Sequence, residues 1–151
     1  MELGSNVVCI NAITLLVGIG VFVGGQIIAK FLIEPIYEQR RLIRDIADSV
    51  WLYGNLYSNP ARDGSPERDE AYRVLRQRGS QLMAATNAIP FYSLWQQLPG
   101  VPKWENVVET WGHLVRLSNG VYMGDPVESL EVAGKVFRRL GIKTRAERAP
   151  Q

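Results

Sequence analysis

The chain has 151 residues, 46% of them hydrophobic, with 17 Lys and Arg against 15 Asp and Glu for a net charge of +2. That near balance lacks the concentrated basic face that nucleic-acid binding calls for, so no nucleic-acid partner is expected. A single cysteine, Cys9, excludes an intrachain disulfide, and the fold must rest on packing alone.

No charged residue falls between Glu2 and Lys30. Inside that gap residues 7–29 read VVCINAITLLVGIGVFVGGQIIA. Roughly 20 helical residues, at 1.5 Å each, cover the roughly 30 Å hydrocarbon core of a bilayer. The stretch predicts a transmembrane helix over 7–33. A cleaved signal peptide fits poorly: the N-terminal flank has no Lys or Arg, the apolar run is too long, and no small-x-small cleavage site follows. All 17 basic residues stand at Lys30 or later. Lys30, Arg40, Arg41 and Arg44 lie just beyond the apolar run. The positive-inside rule therefore predicts a short extracytoplasmic segment at 1–6 and a cytoplasmic domain at 34–142. The expected location is an inner (plasma) membrane of bacterial type, crossed once. The same four cations are candidate contacts for anionic head groups.

On the helical wheel Asn11, Thr14, Gly18, Phe22, Gly25 and Ala29 share one face. Gly20 and Gly24 form a GxxxG on nearly the opposite one. Small and polar residues let a second helix approach closely in lipid, so Asn11, Thr14, Gly18, Gly20, Gly24, Gly25 and Ala29 are candidate helix-packing positions. Ordinary transmembrane glycine content explains part of this pattern. The partners expected are the bilayer itself and a second copy of the chain or another integral membrane protein.

Pro35 has no N–H and would clash with the carbonyl of Phe31 in an uninterrupted helix, predicting a kink or a restart. Residues 36–58 then carry a helical stripe of Ile36, Ile43, Ile46, Ala47, Val50, Tyr53, Gly54 and Tyr57. Trp51, Leu52 and Leu56 lie off that stripe, so the far end of the helix should be covered on more than one side. SNPARDGSP is a loop. Ser65 caps the next helix, with Pro66 at its first position and Glu67, Asp69 and Glu70 in its first turn. Its apolar side is Ala71, Val74, Leu75, Leu82, Ala85 and Ile89, and Gly79 marks a close crossing. In AIPFYSLWQQLPGVP a short helix places Phe91, Tyr92, Trp95 and Leu98 on one face. Phe91, Tyr92 and Trp95 are read as a bundle lid or as a patch for a partner or the membrane interface.

A helix over 103–122 follows, with Trp104, Val107, Val108, Trp111, Leu114, Val115, Ser118, Val121 and Tyr122 as its apolar stripe. Asp125-Pro126-Val127-Glu128 starts the last helix with an Asp cap, Pro in the first position and Glu in the third. Gly141 ends it in a left-handed cap, with Ile142 folding back. Residues 143–151 form a polar tail, expected to be flexible. The fold class expected is all-α: one transmembrane helix, then an antiparallel bundle of about four main helices plus one short aromatic helix.

No catalytic, metal or cofactor set is expected. His113 is the only histidine and has no cysteine neighbours or nominated nucleophile. Glu34, Glu38, Asp45 and Asp48 lie mainly on the polar face of one helix rather than converging from several, as a carboxylate metal site requires. The expected function is a membrane-anchored, non-enzymatic interaction module: a subunit, adaptor or regulator of a membrane assembly. The alternative is a membrane-surface enzyme or sensor that binds a lipid or another anionic amphiphile through arginine.

Overall fold

A computed structural model describes residues 2–142, with side chains from Thr14 onward except that of Leu32. The tail at 143–151 and the side chains of Cys9 and Asn11 lie outside the described residues. The described chain is all helical, without strands. Helix α1 covers Glu2–Ile28 and passes through a π turn, Ala29–Ile33, into α2, Glu34–Leu52. There follow α3 (Gly54–Ser58), α4 (Pro66–Asn87), α5 (Tyr92–Trp95), α6 (Trp104–Gly120) and α7 (Pro126–Arg139).

The π turn resolves the question posed by Pro35. The Glu34 N–H donates to the Ala29 carbonyl, five residues back, and Pro35 sits in the first turn of α2. A π turn holds one extra residue, and the wider backbone accommodates a ring that would otherwise meet the carbonyl of Phe31. The helix neither stops nor restarts from a loop: α1 and α2 form one rod. This rod is long and apolar enough over its N-terminal part to cross a membrane.

Past the π turn the helices run as an antiparallel meander, α2 beside α4, α4 beside α6 and α6 beside α7. Pairs along the seams fix the directions. Gln39 meets Thr86 and Asp45 meets Arg78 between α2 and α4; Arg76 meets Ser118 between α4 and α6; Arg139 meets Asn106 and Arg116 meets Glu128 between α6 and α7. The bundle thus has a near end, where α1 enters, and a far end holding the α3–α4 loop and the start of α7. Ile46, Val50, Leu75, Leu82, Val107, Leu114, Leu117 and Val136 are fully buried in one core. Burying each such side chain contributes about 1.5–3 kcal/mol.

The expected close crossing at Gly79 is present. A β-carbon there would stand 3.0 Å from Cδ1 of Trp111 and 3.4 Å from Cδ1 of Leu114. Capping follows the sequence at α7: Asp125 Oδ1 accepts from the N–H of Val127 at 2.7 Å and of Glu128 at 3.2 Å. Gly141 has φ 67° and Ile142 N–H donates to the Phe137 carbonyl, the left-handed close expected there. Ser65 holds the N-cap position of α4, but its hydroxyl makes no cap bond; its own N–H donates to Asp63 instead.

Three expectations are corrected. Residues 36–58 are not one helix, since the chain breaks at Tyr53 (φ −92°, ψ 9°) before the single turn of α3. The Tyr57 hydroxyl reaches back to the Val50 carbonyl at 2.8 Å, taking up an acceptor beside the break. The far end of α2 is not covered all round: Leu52 is exposed, and Trp51 is exposed while stacking on Phe137 at 5.3 Å. The core face of α6 is Val107, Thr110, Leu114, Leu117, Ser118 and Val121, which turns Trp104, Val108 and Trp111 to its rim.

Two outcomes follow from this packing. Gly79→Val forces three carbon atoms into the α4–α6 contact and should cost about 1–3 kcal/mol in a denaturant titration of the detergent-solubilised protein. Burial pushes the Tyr57 hydroxyl up to about 12. A group whose folded pKa lies above its unfolded value of about 10 supports the fold below that value and loses its contribution as pH rises toward the folded one. Melting temperature should therefore fall between about pH 10 and pH 12, and Tyr57→Phe should flatten part of that fall.

Candidate functional site

The residue that ties the near end together is Gln39, fully buried although every sequence pattern marks it as polar. Its Nε2 donates to Thr86 Oγ1 at 2.8 Å and to the Tyr92 hydroxyl at 2.9 Å. Thr86 passes its own proton to the Leu82 carbonyl at 2.7 Å, and Tyr92 donates to the Pro102 carbonyl at 2.5 Å. Gln39 Oε1 has no protein donor among the described residues. Burial also raises the Tyr92 pKa, which keeps the phenol a donor. One amide on α2 thereby fastens α4, α5 and the loop that leads into α6.

That loop is the 91–102 segment, and its aromatic residues divide between two sides. Tyr92 points inward to Gln39. Trp95 is half-buried and donates from Nε1 to the Pro90 carbonyl at 3.1 Å. Phe91 is 75% exposed and held in the left-handed region at φ 53°, Leu94 is 64% exposed and Leu98 49%. Phe91, Tyr92, Trp95 and Leu98 therefore do not share one face. The outward set is Phe91, Leu94 and Leu98; Leu94 escaped notice in the sequence because the expected helical face passed through Trp95.

A second apolar surface runs along α6, where Trp104, Val108 and Trp111 are 36%, 38% and 43% exposed. It starts beside the loop, since Trp104 packs edge-on against Tyr92 with ring centres 6.4 Å apart.

Of the remaining residues singled out in the sequence, Thr14, Gly18, Gly20, Gly25 and Ala29 lie on the exposed surface of α1 and the π turn, with Gly24 half-buried. A β-carbon at Gly18, Gly20, Gly24 or Gly25 of α1 would meet nothing within 4 Å, leaving room for another helix. Lys30, Arg40, Arg41 and Arg44 are all exposed. Arg41 stands 3.8 Å from Glu38, and an Arg40 guanidinium nitrogen approaches Gly100 in the loop.

The far end is fastened by a second buried polar group. Arg68 donates to the carbonyls of Leu56 and Val121 and pairs with Asp63 at 3.1 Å. The Asp63 carboxyl is held below its usual range, first by the Ser65 N–H and then by Arg68. Arg68 was invisible as a site because it occupies an ordinary first-turn position of α4.

A groove of about 610 Å³ between α6 and α7 is lined by Asn106, Glu109, His113, Lys135, Arg138 and Arg139. Its charges largely answer one another: Arg139 pairs with Glu109 at 2.6 Å and Lys135 with Glu131 at 2.8 Å. Burial lowers the His113 pKa, which keeps the ring neutral near pH 7. Glu109 and Lys135 share the groove with it, and each is engaged in an ion pair. Among the described residues no group of His, Cys, Asp or Glu is placed to hold a metal ion. Asp45 of the acidic set pairs with Arg78 at 3.4 Å instead. No family model, curated protein or solved structure matches the chain. The described surface offers apolar contact area at the near end, along α1 and along α6.

The Gln39 knot yields a graded outcome. Gln39→Ala opens a cavity and strips Thr86 and Tyr92 of their shared donor, for an expected loss of about 2–4 kcal/mol on unfolding. Gln39→Leu keeps most of the volume and removes the unpaired Oε1, so it should lose clearly less. Equal losses in the two variants would show that the hydrogen bonds, not the volume, hold this end.

Proposed function

We propose that the protein is a membrane-anchored, non-enzymatic interaction module. In this reading α1 crosses an inner (plasma) membrane once, and the bundle lies on the cytoplasmic side and presents apolar surface to a membrane-bound partner. One observation carries the reading. From Thr14 to Ile28 the side chains of α1 remain exposed all round, except for half-buried Gly24, while the bundle completes its core without them. Apolar surface left in water costs about 25 cal/mol per Å², and a bilayer removes that cost. A helix apolar on every side is a buried or membrane-embedded helix.

The orientation rests on Lys30, Arg40, Arg41 and Arg44 standing exposed on the bundle side of the apolar segment. Exposed there, these cations can also meet anionic head groups, each worth about 1 kcal/mol near the surface, with Arg41 exchanging its 3.8 Å pairing with Glu38. The partner side of the proposal rests on the open glycine faces of α1 and on the Trp104–Val108–Trp111 stripe. Either a second copy or another integral membrane protein satisfies both surfaces. The alternative of an enzyme or sensor for anionic amphiphiles gains less support, because two of the three cations lining the α6–α7 groove, Lys135 and Arg139, are already paired.

The test is crosslinking of the full chain in native membranes after alkaline carbonate washing. The protein should stay with the membrane fraction and give a discrete crosslinked complex. Val108→Asp and Gly18→Leu should each lower the yield of that complex several-fold without changing membrane retention. A protein that washes off, or one that stays strictly monomeric and partnerless, overturns the reading.

A further inference from the structure

We infer that the loop between α4 and α6 is a second membrane contact, a foot that inserts Phe91, Leu94 and Leu98 into the interface beside the end of the α1 span. The inference rests on α1 being a membrane span and adds what the bundle does at that membrane.

Position is the first argument. Gln39, whose amide holds Tyr92 of this loop, lies six residues beyond Ile33, which is about 9 Å along a helix. The polar layer on each side of a bilayer is itself roughly 5–8 Å deep. With α1 and α2 joined in one rod, the loop is carried at the level of the head groups rather than far into the cytoplasm.

Charge is the second. Between Arg78 and Lys103 the sequence has no charged residue, in a chain that is 21% charged. The loop at 88–102 lies wholly inside that gap and is nonetheless largely exposed. Entering an interface therefore desolvates no ion of the loop's own. A loop meant only for water has no reason to avoid charge so thoroughly while exposing Phe and Leu.

Shape is the third. The inward bonds of Tyr92 and Trp95 brace the loop, leaving Phe91, Leu94 and Leu98 to project from its outer side. Phe91 is the only residue other than glycine with positive φ among those described. A bulky residue in that region carries backbone strain. On the opposite side of α2, Tyr37 is exposed at the same level, so an aromatic ring stands outward on each side of the rod, Phe91 on one and Tyr37 on the other.

The foot also gives the span a tilt direction. The apolar run over 7–29 measures about 35 Å as helix, longer than a hydrocarbon core of roughly 30 Å. A helix that outruns the bilayer leans, and interfacial anchors choose the way it leans. Leaning toward the loop presses the foot down and brings the bundle onto the membrane.

Site-directed spin labelling tests this on the full chain, with Cys9→Ser as background and reconstitution in phosphatidylcholine vesicles containing phosphatidylglycerol. Labels at Val21→Cys, Leu94→Cys and Glu70→Cys report on the span, the foot and the far end of the bundle. Accessibility to oxygen against a water-soluble nickel complex gives the depth of each. The expected result is Val21 in lipid, Glu70 in water, and Leu94 several-fold less accessible to nickel than Glu70. Adding Phe91→Asp should then return the Leu94 label toward the Glu70 value, with the helical circular dichroism unchanged. Val21 in lipid with Leu94 as wet as Glu70 overturns the foot and leaves the anchor standing. Val21 in water overturns the anchor and the foot together.

Discussion

Everything at the near end depends on a backbone that passes a proline without losing its direction. Pro35 removes one hydrogen bond and brings a ring against the preceding turn. The π turn at Ala29–Ile33 absorbs the ring with one extra residue, and the helix continues. A flexible break would let the bundle swivel freely about α1. Continuity instead fixes both the distance and the rotational phase between the apolar rod and the first buried residue of the bundle. Because of that phase, Gln39 faces α4 and Tyr37 faces away, and the 91–102 loop is delivered to one side of the rod at one height.

The bundle is then fastened by polar groups at its two ends and by apolar packing between them. Gln39 at the near end and Arg68 at the far end each donate to two other segments. Such bonds contribute about 1 kcal/mol apiece, less than the core between them, but an unmatched partner costs more than a matched one returns. They act chiefly against slippage. A one-turn slide of α2 past α4 would strand Gln39, Thr86 and Tyr92 at once, whereas Leu and Val would find new apolar neighbours. Between the two knots, Gly79 lets α4 sit close against α6, and the bundle is built as a meander around that contact.

Helix starts and ends were legible in the sequence because they depend on local chemistry. The Asp125–Glu128 cap, Pro66 at the head of α4 and Gly141 at the tail of α7 are all governed by neighbours within a few residues. So was the close crossing at Gly79. Core membership was less legible, for a reason shared by several residues. Ser49, Thr86 and Thr110 are buried, yet each hydroxyl donates to the carbonyl four residues back in its own helix, at 2.7–2.8 Å. Such a side chain satisfies its polar atom locally and packs with a surface close to that of a small apolar residue. Hydrophobicity patterning scores it as surface, and for α6 that rotated the expected face toward Trp104, Val108 and Trp111. The break at Tyr53 was hidden for a different reason: it rests on the long-range reach of Tyr57 and on the packing of α3 against α7. Of the candidate contact surface, the apolar loop was visible, but the division of its aromatics between an inner and an outer side required Gln39, which no pattern nominates.

The placement of the α6 stripe bears on what kind of partner suits it. Trp104 touches Tyr92, so the stripe begins at the near end and runs away from it. Three half-exposed side chains offer far less than the roughly 800 Å² per partner of a stable free-standing interface. A partner diffusing in three dimensions would gain little from so small a surface. Under the proposed reading, a partner held in the same bilayer would meet it differently, because an anchor would supply effective concentration and the α1 glycine faces a second contact. The two surfaces are separated by a rigid rod, so engagement of one fixes the approach to the other. On that reading a small stripe is a sensible size for recognition between anchored proteins, since contact would be strong only where both surfaces engage together.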